Sequence, residues 1–278
     1  MLKAVIWIAG LVVATPALAQ TRTGELPDPN DQSDTFSIGA GAGIYPDYEG
    51  SDDYEFIPVA GLRGRWNGYN FYTRGTYLYV DFIRRGDGPV EFDFGPIVGA
   101  RPYRTGKVDD DAVDALPELD TAFEVGGYAG ITYHGLTNPY DALSFHVDVT
   151  TDVSDAHGST LITPTIDFGT PLSTTTYVGV SASAEWAGDG YADYYYSIDP
   201  AGSLASGLPV FEADGGFKHW RLSLFANQSL SGDLTHGWSI FGVGLFTKLS
   251  GDFSDSPIVD LRGSSSQWFG ALGVAYTF

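Results

Sequence analysis

The chain of 278 residues has no cysteine, and its one methionine is the initiator. Disulfide frameworks, thiolate metal centres and thiol catalysis are therefore excluded. Basic side chains are scarce: 14 Lys and Arg stand against 35 Asp and Glu, a formal net charge of -21. Binding to nucleic acid is excluded with them, because a phosphate backbone demands clustered cations for counterion release. After the amino terminus no apolar run approaches the roughly 18 residues of a membrane helix, and a 3.6-residue period is missing. The five histidines, His134, His146, His157, His219 and His236, lack metal-ligand spacing, and no G-x-S-x-G elbow occurs. His146 and Ser144 share a strand face as an imaginable base and nucleophile, but no orienting acid or oxyanion hole accompanies them. The reading is a chain without catalytic residues, cofactor or metal. Asp109, Asp110, Asp111 and Asp114 lack EF-hand spacing and read as a solvated external loop, with cations between lipopolysaccharide phosphates as the sharper alternative.

What is present begins with an export signal. Lys3 forms a positive n-region, Ala4 to Ala14 an apolar core, and Ala17-Leu18-Ala19 a small-residue cleavage site. Residues 1–19 are thus expected to be a signal peptide and 20–35 a short periplasmic segment. From 36 to 278 the dominant pattern is period two. Phe36, Ile38, Ala40, Ala42 and Ile44 alternate with Ser37 and glycines; Val178, Val180, Ala182, Ala184 and Trp186 alternate with Gly179, Ser181, Ser183 and Glu185. Such alternation makes two-faced strands.

A soluble sandwich and a transmembrane barrel both use two-faced strands. The export signal, segments of about ten residues, and 17 Tyr, 17 Phe and 6 Trp for interfacial girdles favour the barrel. The last segment places Trp268, Leu272, Val274, Tyr276 and Phe278 on one face and stops on an aromatic residue. Tyr276 and Phe278 thus read as an assembly signal for the barrel assembly machinery, with outer-membrane lipid and lipopolysaccharide as surroundings. Eleven segments are visible, whereas bacterial barrels are even-numbered. Within 69–84 the outward phase is odd at Tyr69, Phe71 and Thr73 but even at Leu78, Val80 and Phe82, so the register flips near Gly75. A turn there gives an all-β, antiparallel barrel of about 12 strands; a bulge, with an amino-terminal segment outside the wall, gives 10. Counting back from Phe278 puts 103–119, 188–216 and 251–265 outside the cell.

Three stretches carry a family resemblance: Tyr45-Pro46-Asp47-Tyr48-Glu49-Gly50-Ser51, then Tyr194-Tyr195-Tyr196-Ser197-Ile198 with Ala205-Ser206-Gly207-Leu208-Pro209, and Asp255-Ser256-Pro257-Ile258-Val259. With them the chain resembles the MipA/OmpV family of outer-membrane proteins, the MltA-interacting scaffold proteins. The resemblance implies an outer-membrane barrel associated with a lytic transglycosylase and a bifunctional murein synthase, or, in some members, an adhesin or porin-like protein. It assigns no catalytic residue. Physically the motifs are loop chemistry: Pro46 ends a ladder, Gly50 supplies a turn, the tyrosines pack a girdle or loop in preference to a partner epitope, and Asp255 with Pro257 forms a turn.

Alternation also assigns a lumen: Arg63, Arg65, Glu91, Asp93, Arg101, Glu124, His146, Asp148, Asp167, Glu185 and Arg221 point inward. Charges of both signs there are expected to pair, giving a narrow or plugged barrel. The functional expectation is a scaffold or docking protein for cell-envelope machinery, with a small-solute channel as the alternative.

Overall fold

A computed structural model describes residues 33–278 apart from 85 and 87. The expected signal peptide and most of the amino-terminal segment lie outside these residues. The strands are β1 (Thr35–Pro46), β2 (Tyr54–Trp66), β3 (Tyr69–Arg74), β4 (Tyr77–Val80), β5 (Val90–Arg101), β6 (Ala122–His134), β7 (Ala142–Asp152), β8 (Thr160–Pro171), β9 (Thr176–Ala187), β10 (Gly216–Ser229), β11 (Gly237–Leu249) and β12 (Ser266–Thr277). Each pairs antiparallel with its sequence neighbours, and β1 pairs with β12, closing a twelve-stranded barrel. Closure gives every strand a partner on both sides, so no strand is an edge strand of the kind a sandwich would leave. β1 begins at Thr35, one residue before the expected boundary.

The register flip resolves as a turn: Gly75 adopts φ 60°, and Arg74 pairs with Tyr77 across it. The ten-strand alternative is therefore wrong, and β1 begins at the same rim at which β12 ends. At that rim, Asn67 and Gly68, with φ 51° and 81°, join β2 to β3 in the left-handed backbone a two-residue hairpin needs.

Apolar residues cover the exterior. Phe94, Phe145, Val180, Leu222, Leu224, Leu272 and Val274 are all exposed, a continuous band that water would penalise and hydrocarbon accepts. Aromatic pairs Trp220–Phe246 and Phe246–Trp268 cluster towards one end of the wall, and Trp238–Tyr276 and Tyr276–Phe278 towards the other. These are the girdles of an outer-membrane barrel. Phe278 follows β12 and donates its N–H to the Phe36 carbonyl at 2.8 Å, so the last residue helps seal the closing seam.

The interior is two-sided. Ile57, Val59, Val243, Phe269 and Ala271, from β2, β11 and β12, form a buried apolar cluster. Inward glycines make space for it: a Cβ on Gly273 would stand 2.4 Å from the Phe241 ring. The remaining wall, from the periplasmic end of β2 round to β10, carries most of the charges.

Candidate functional site: the loop lid and the charges beneath it

Five helices lie in the external loops: α1 (Asp111–Asp114), α2 (Asp189–Tyr196), α3 (Pro200–Ser206), α4 (Asp252–Asp255) and α5 (Pro257–Asp260). They are short because each is bounded by a local signal. Asp110 caps α1 by accepting from the Ala112 and Val113 amides, and Asp199 caps α3 through the Gly202 amide. Gly207 at φ 76° ends α3 in the left-handed conformation that glycine tolerates. No such helix would persist alone in water. They persist because the loops bury a core of their own: Tyr191, Tyr195, Tyr196, Phe253 and Val259 in one cluster, and Tyr48, Val113, Leu116, Ile198 and Ile258 in an adjoining one.

All three family motifs meet in this lid. The Tyr48 hydroxyl donates to the Ile258 and Arg262 carbonyls at 3.3 and 3.1 Å. Gly50 has φ 106°, and a Cβ there would lie 2.4 Å from Val259 Cγ2. Ser256, fully buried, donates to the Tyr196 carbonyl at 2.6 Å. Tyr194 is half-buried and Tyr195 and Tyr196 are buried, so the tyrosine run packs the loops rather than girdling the membrane. Asp255 is exposed and, among the described residues, accepts only from Ser254 Oγ, at 3.0 Å, while Pro257 starts α5. The aspartate run is structural as well: Asp110 pairs with Arg262 at 2.6 Å, and Asp114 accepts from the Val108 amide at 3.0 Å.

Beneath the lid, Glu49 descends from the first motif to Lys218. Glu49 Oε1 lies 2.9 Å from Lys218 Nζ, and Glu185 Oε1 lies 2.8 Å from the same nitrogen. Lys218 Nζ also donates to the Tyr191 hydroxyl at 2.7 Å, while Tyr191 and Tyr196 donate to Glu49 Oε2, each at 2.8 Å. Burial pushes both phenols up, which keeps them neutral donors. Glu49 is itself opposed by burial, but Lys218, then His219 and Arg101, outweigh that and hold its carboxyl below the usual range. Every charge in this centre is thus met by an opposite charge or a donor, the condition on which buried ions are tolerated.

The eleven lumen residues read from alternation all face inward, and nine of them fall into three groups. Arg101 holds Glu124 at 2.7 Å; Tyr77, Thr150 and His157 complete the carboxylate at 2.9, 3.0 and 3.3 Å. His146, Asp148 and Asp167 gather round Arg74, which lies 2.8 Å from His146 Nε2 and 3.3 Å from Asp167, while Tyr79 donates to Asp148 at 2.8 Å. Nearer the periplasm, Arg63, Arg65, Glu91 and Asp93 share a cavity wall; His134 reaches Glu91 at 2.9 Å and Thr132 donates to Asp93 at 2.9 Å. Asp81 joins the last two carboxylates within 4.8 Å. Glu185 belongs with Lys218, and Arg221 stands apart, donating to Thr247 Oγ1 at 2.9 Å. His146 makes no hydrogen bond to Ser144 among the described residues, so the imagined dyad is not assembled.

Two central cations, Lys218 and Arg74, escape the alternation reading. The ladder between β9 and β10 shifts by one residue between Phe217 and His219, and this bulge turns Lys218 and His219 both inward, each fully buried. The signal was in the sequence: Phe217 and Trp220 face outward with opposite parity, and a lysine at even phase would otherwise sit in lipid. Arg74, the last residue of β3, is inward by the parity that turns Tyr69 and Phe71 outward, but it stands at the turn and is missing from the set read by alternation.

The family model for MltA-interacting protein MipA matches residues 38–278. A relative from Escherichia coli K12 bearing the name MltA-interacting protein is 25% identical over 292 residues, covering 100% of both chains. The Shigella flexneri protein of that name matches equally. Among solved structures, the COG4313 outer membrane channel from Pseudomonas putida F1 is similar, with a TM-score of 0.48 and 12% identity over 96% of this chain and 100% of that one. With the family model spanning nearly all the described residues, this outer-membrane β-barrel belongs to the MipA family.

Proposed function

We propose that the barrel is a non-enzymatic docking protein for the machinery that remodels murein, binding a lytic transglycosylase and bringing a murein synthase to it. The supporting observation is the closed lumen. A lid with its own tyrosine core covers the outer mouth, and the Glu49–Lys218–Glu185 centre occupies the space beneath it. Such an interior suits a rigid platform better than a general porin, whose conductance requires a continuous aqueous path. It also argues against an adhesin built on the tyrosine run, since Tyr191, Tyr195 and Tyr196 are spent on packing. The names of the full-length relatives point to the same partner.

The test is direct binding. The full chain in lipid nanodiscs, immobilised, should bind the lytic transglycosylases of its own organism saturably, and empty nanodiscs should not. Absence of binding for every such enzyme at roughly 100 μM, weaker than any useful affinity of about -5 kcal/mol, would reject the docking role.

A further inference from the structure

One seam of the wall is not closed along its length. β2 and β3 pair only from Arg63 to Trp66, whereas β1 and β2 pair from Tyr54 to Arg65 on the other side. At Leu62 the ladder gives way to a side chain: Thr73 Oγ1 accepts from the Leu62 amide at 3.0 Å and donates to the Leu62 carbonyl at 3.3 Å. Above that point the β3–β4 hairpin turns back at Gly75, and residues 56–61 of β2 have no ladder partner on this edge among the described residues. Since Leu62 directs its amide to this edge, the other even residues do too, Pro58 among them. Proline there removes a donor that would be unsatisfied in hydrocarbon. Phe56 is 85% exposed, more than Leu272 at 70% on the fully paired β12, as expected for a residue whose flank has no neighbouring strand.

A cavity of about 220 Å³ lies behind the seam. Its lining includes both lips of the gap, Ile57 on β2 and Arg74 to Tyr77 on the hairpin. Above is the lid; below is the latch of Arg74 with His146 and Asp167. The cavity has an apolar side, where Val243, Leu245 and Phe269 continue from Ile57, and a cationic end at Arg221. The other cations in this space each hold a carboxylate: Lys218 with Glu49 and Glu185, Arg101 with Glu124, Arg74 with Asp167. Arg221 is bonded only to the Thr247 hydroxyl, with no carboxylate within 4 Å among the described residues. A guanidinium left with free N–H groups beside an apolar wall matches a carboxylate carrying a short hydrocarbon chain.

We infer that the seam above the β3–β4 hairpin is a lateral entrance from the outer leaflet to a binding site for small carboxylate amphiphiles, held by Arg221 at the head and by the Ile57, Val243, Leu245 and Phe269 wall along the chain. The size fits: an apolar cavity of about 150 Å³ takes a benzene, and this one takes a chain of about eight carbons. The site is independent of the docking role, so loss of one leaves the other measurable.

Octanoate is the probe. Titrated calorimetrically into the full chain in nanodiscs, it should bind saturably, and octan-1-ol should bind at least about tenfold more weakly, as expected for loss of a charged hydrogen bond. Arg221→Gln should lose that preference and Arg221→Lys should keep most of it, with the folded band on unheated gels showing that both variants assemble. No saturable octanoate binding, or binding that Arg221→Gln leaves unchanged, overturns the site. The route is read separately, because a chain without cysteine gives clean labelling. Ile57→Cys should react with lipid-soluble N-cyclohexylmaleimide, slowed by octanoate, and resist a sulfonated maleimide confined to water. Equal reaction with both reagents, or with neither, overturns lateral entry.

Discussion

The two ends of the barrel are built differently. On the periplasmic side two of the connections are turns satisfied by one or two residues: Asn67-Gly68 for one hairpin, and Asp141 for another, whose carboxylate accepts from the amides of Leu136, Thr137 and Asn138 at 2.7, 2.8 and 3.2 Å. Burial opposes ionisation, but those bonds outweigh it and hold the Asp141 carboxyl below its usual range. On the outer side, five helices and two buried clusters stand over the lumen. A turn need only reverse a strand, whereas the outer loops carry a second core outside the membrane. The lesson is that the family motifs serve this second core, and that closure of the lumen depends on it as much as on the wall.

If the lid is a core in its own right, damage to it should cost as much as damage to the wall. The largest effect is expected at their junction: Lys218→Met leaves Glu49 and Glu185 buried without their cation and should destabilise by about 3 to 5 kcal/mol. Urea unfolding in matched lipid measures it, and a loss below about 1 kcal/mol would mean that the centre is wet and weakly coupled. In the wall, Leu224→Arg, on an exposed outward position midway along β10, should cost about 2 to 4 kcal/mol. Ser223→Arg, facing the cavity, should be better tolerated; the reverse order would mean that the faces are exchanged. Tyr191→Phe removes one hydroxyl that serves both Glu49 and Lys218 and should cost about 1 to 3 kcal/mol. Asp255→Asn, on the exposed surface of the same lid, should stay within about 0.5 kcal/mol.

Acid should separate the two ends as well. Because the folded carboxyl of Glu49 lies below its ordinary value, its contribution is fully present above the unfolded value of about 4.3 and is lost as pH falls through the lower folded value. Near-ultraviolet circular dichroism of the lid tyrosines, recorded at each pH, should therefore be kept in mildly acidic buffer and lost in strong acid. Glu49→Gln should show a signal that no longer depends on that acid step; acid dependence unchanged from the parent chain would remove Glu49 from the account.

Most of the wall was legible because a barrel enforces period two. Phe36 to Ile44 and Val178 to Trp186 declare their faces, and the parity change across Gly75 marks the extra hairpin. The inward charges follow from the same period. Lys218 did not, since a one-residue bulge cancels the rule that would have located it. The lid was illegible for a different reason. Tyr191, Ile198, Phe253 and Ile258 occupy loops with neither period, and their partners are far away in sequence, as with Tyr48 and Arg262 or Ser256 and Tyr196. The motifs that carry the family resemblance identified these loops as special, but only packing reveals that they touch one another.

The central claim is that the lid and the charges beneath it close the lumen, and conductance across a planar bilayer tests it most directly. The intact chain, inserted and voltage-clamped in about 1 M salt, where surface charge is screened over about 3 Å, should remain electrically silent. A variant in which residues 189–213 are replaced by a short Gly-Ser linker should give discrete steps. Steady, ion-selective steps from the intact chain, unchanged by removal of the lid, would contradict the account and make the barrel a channel.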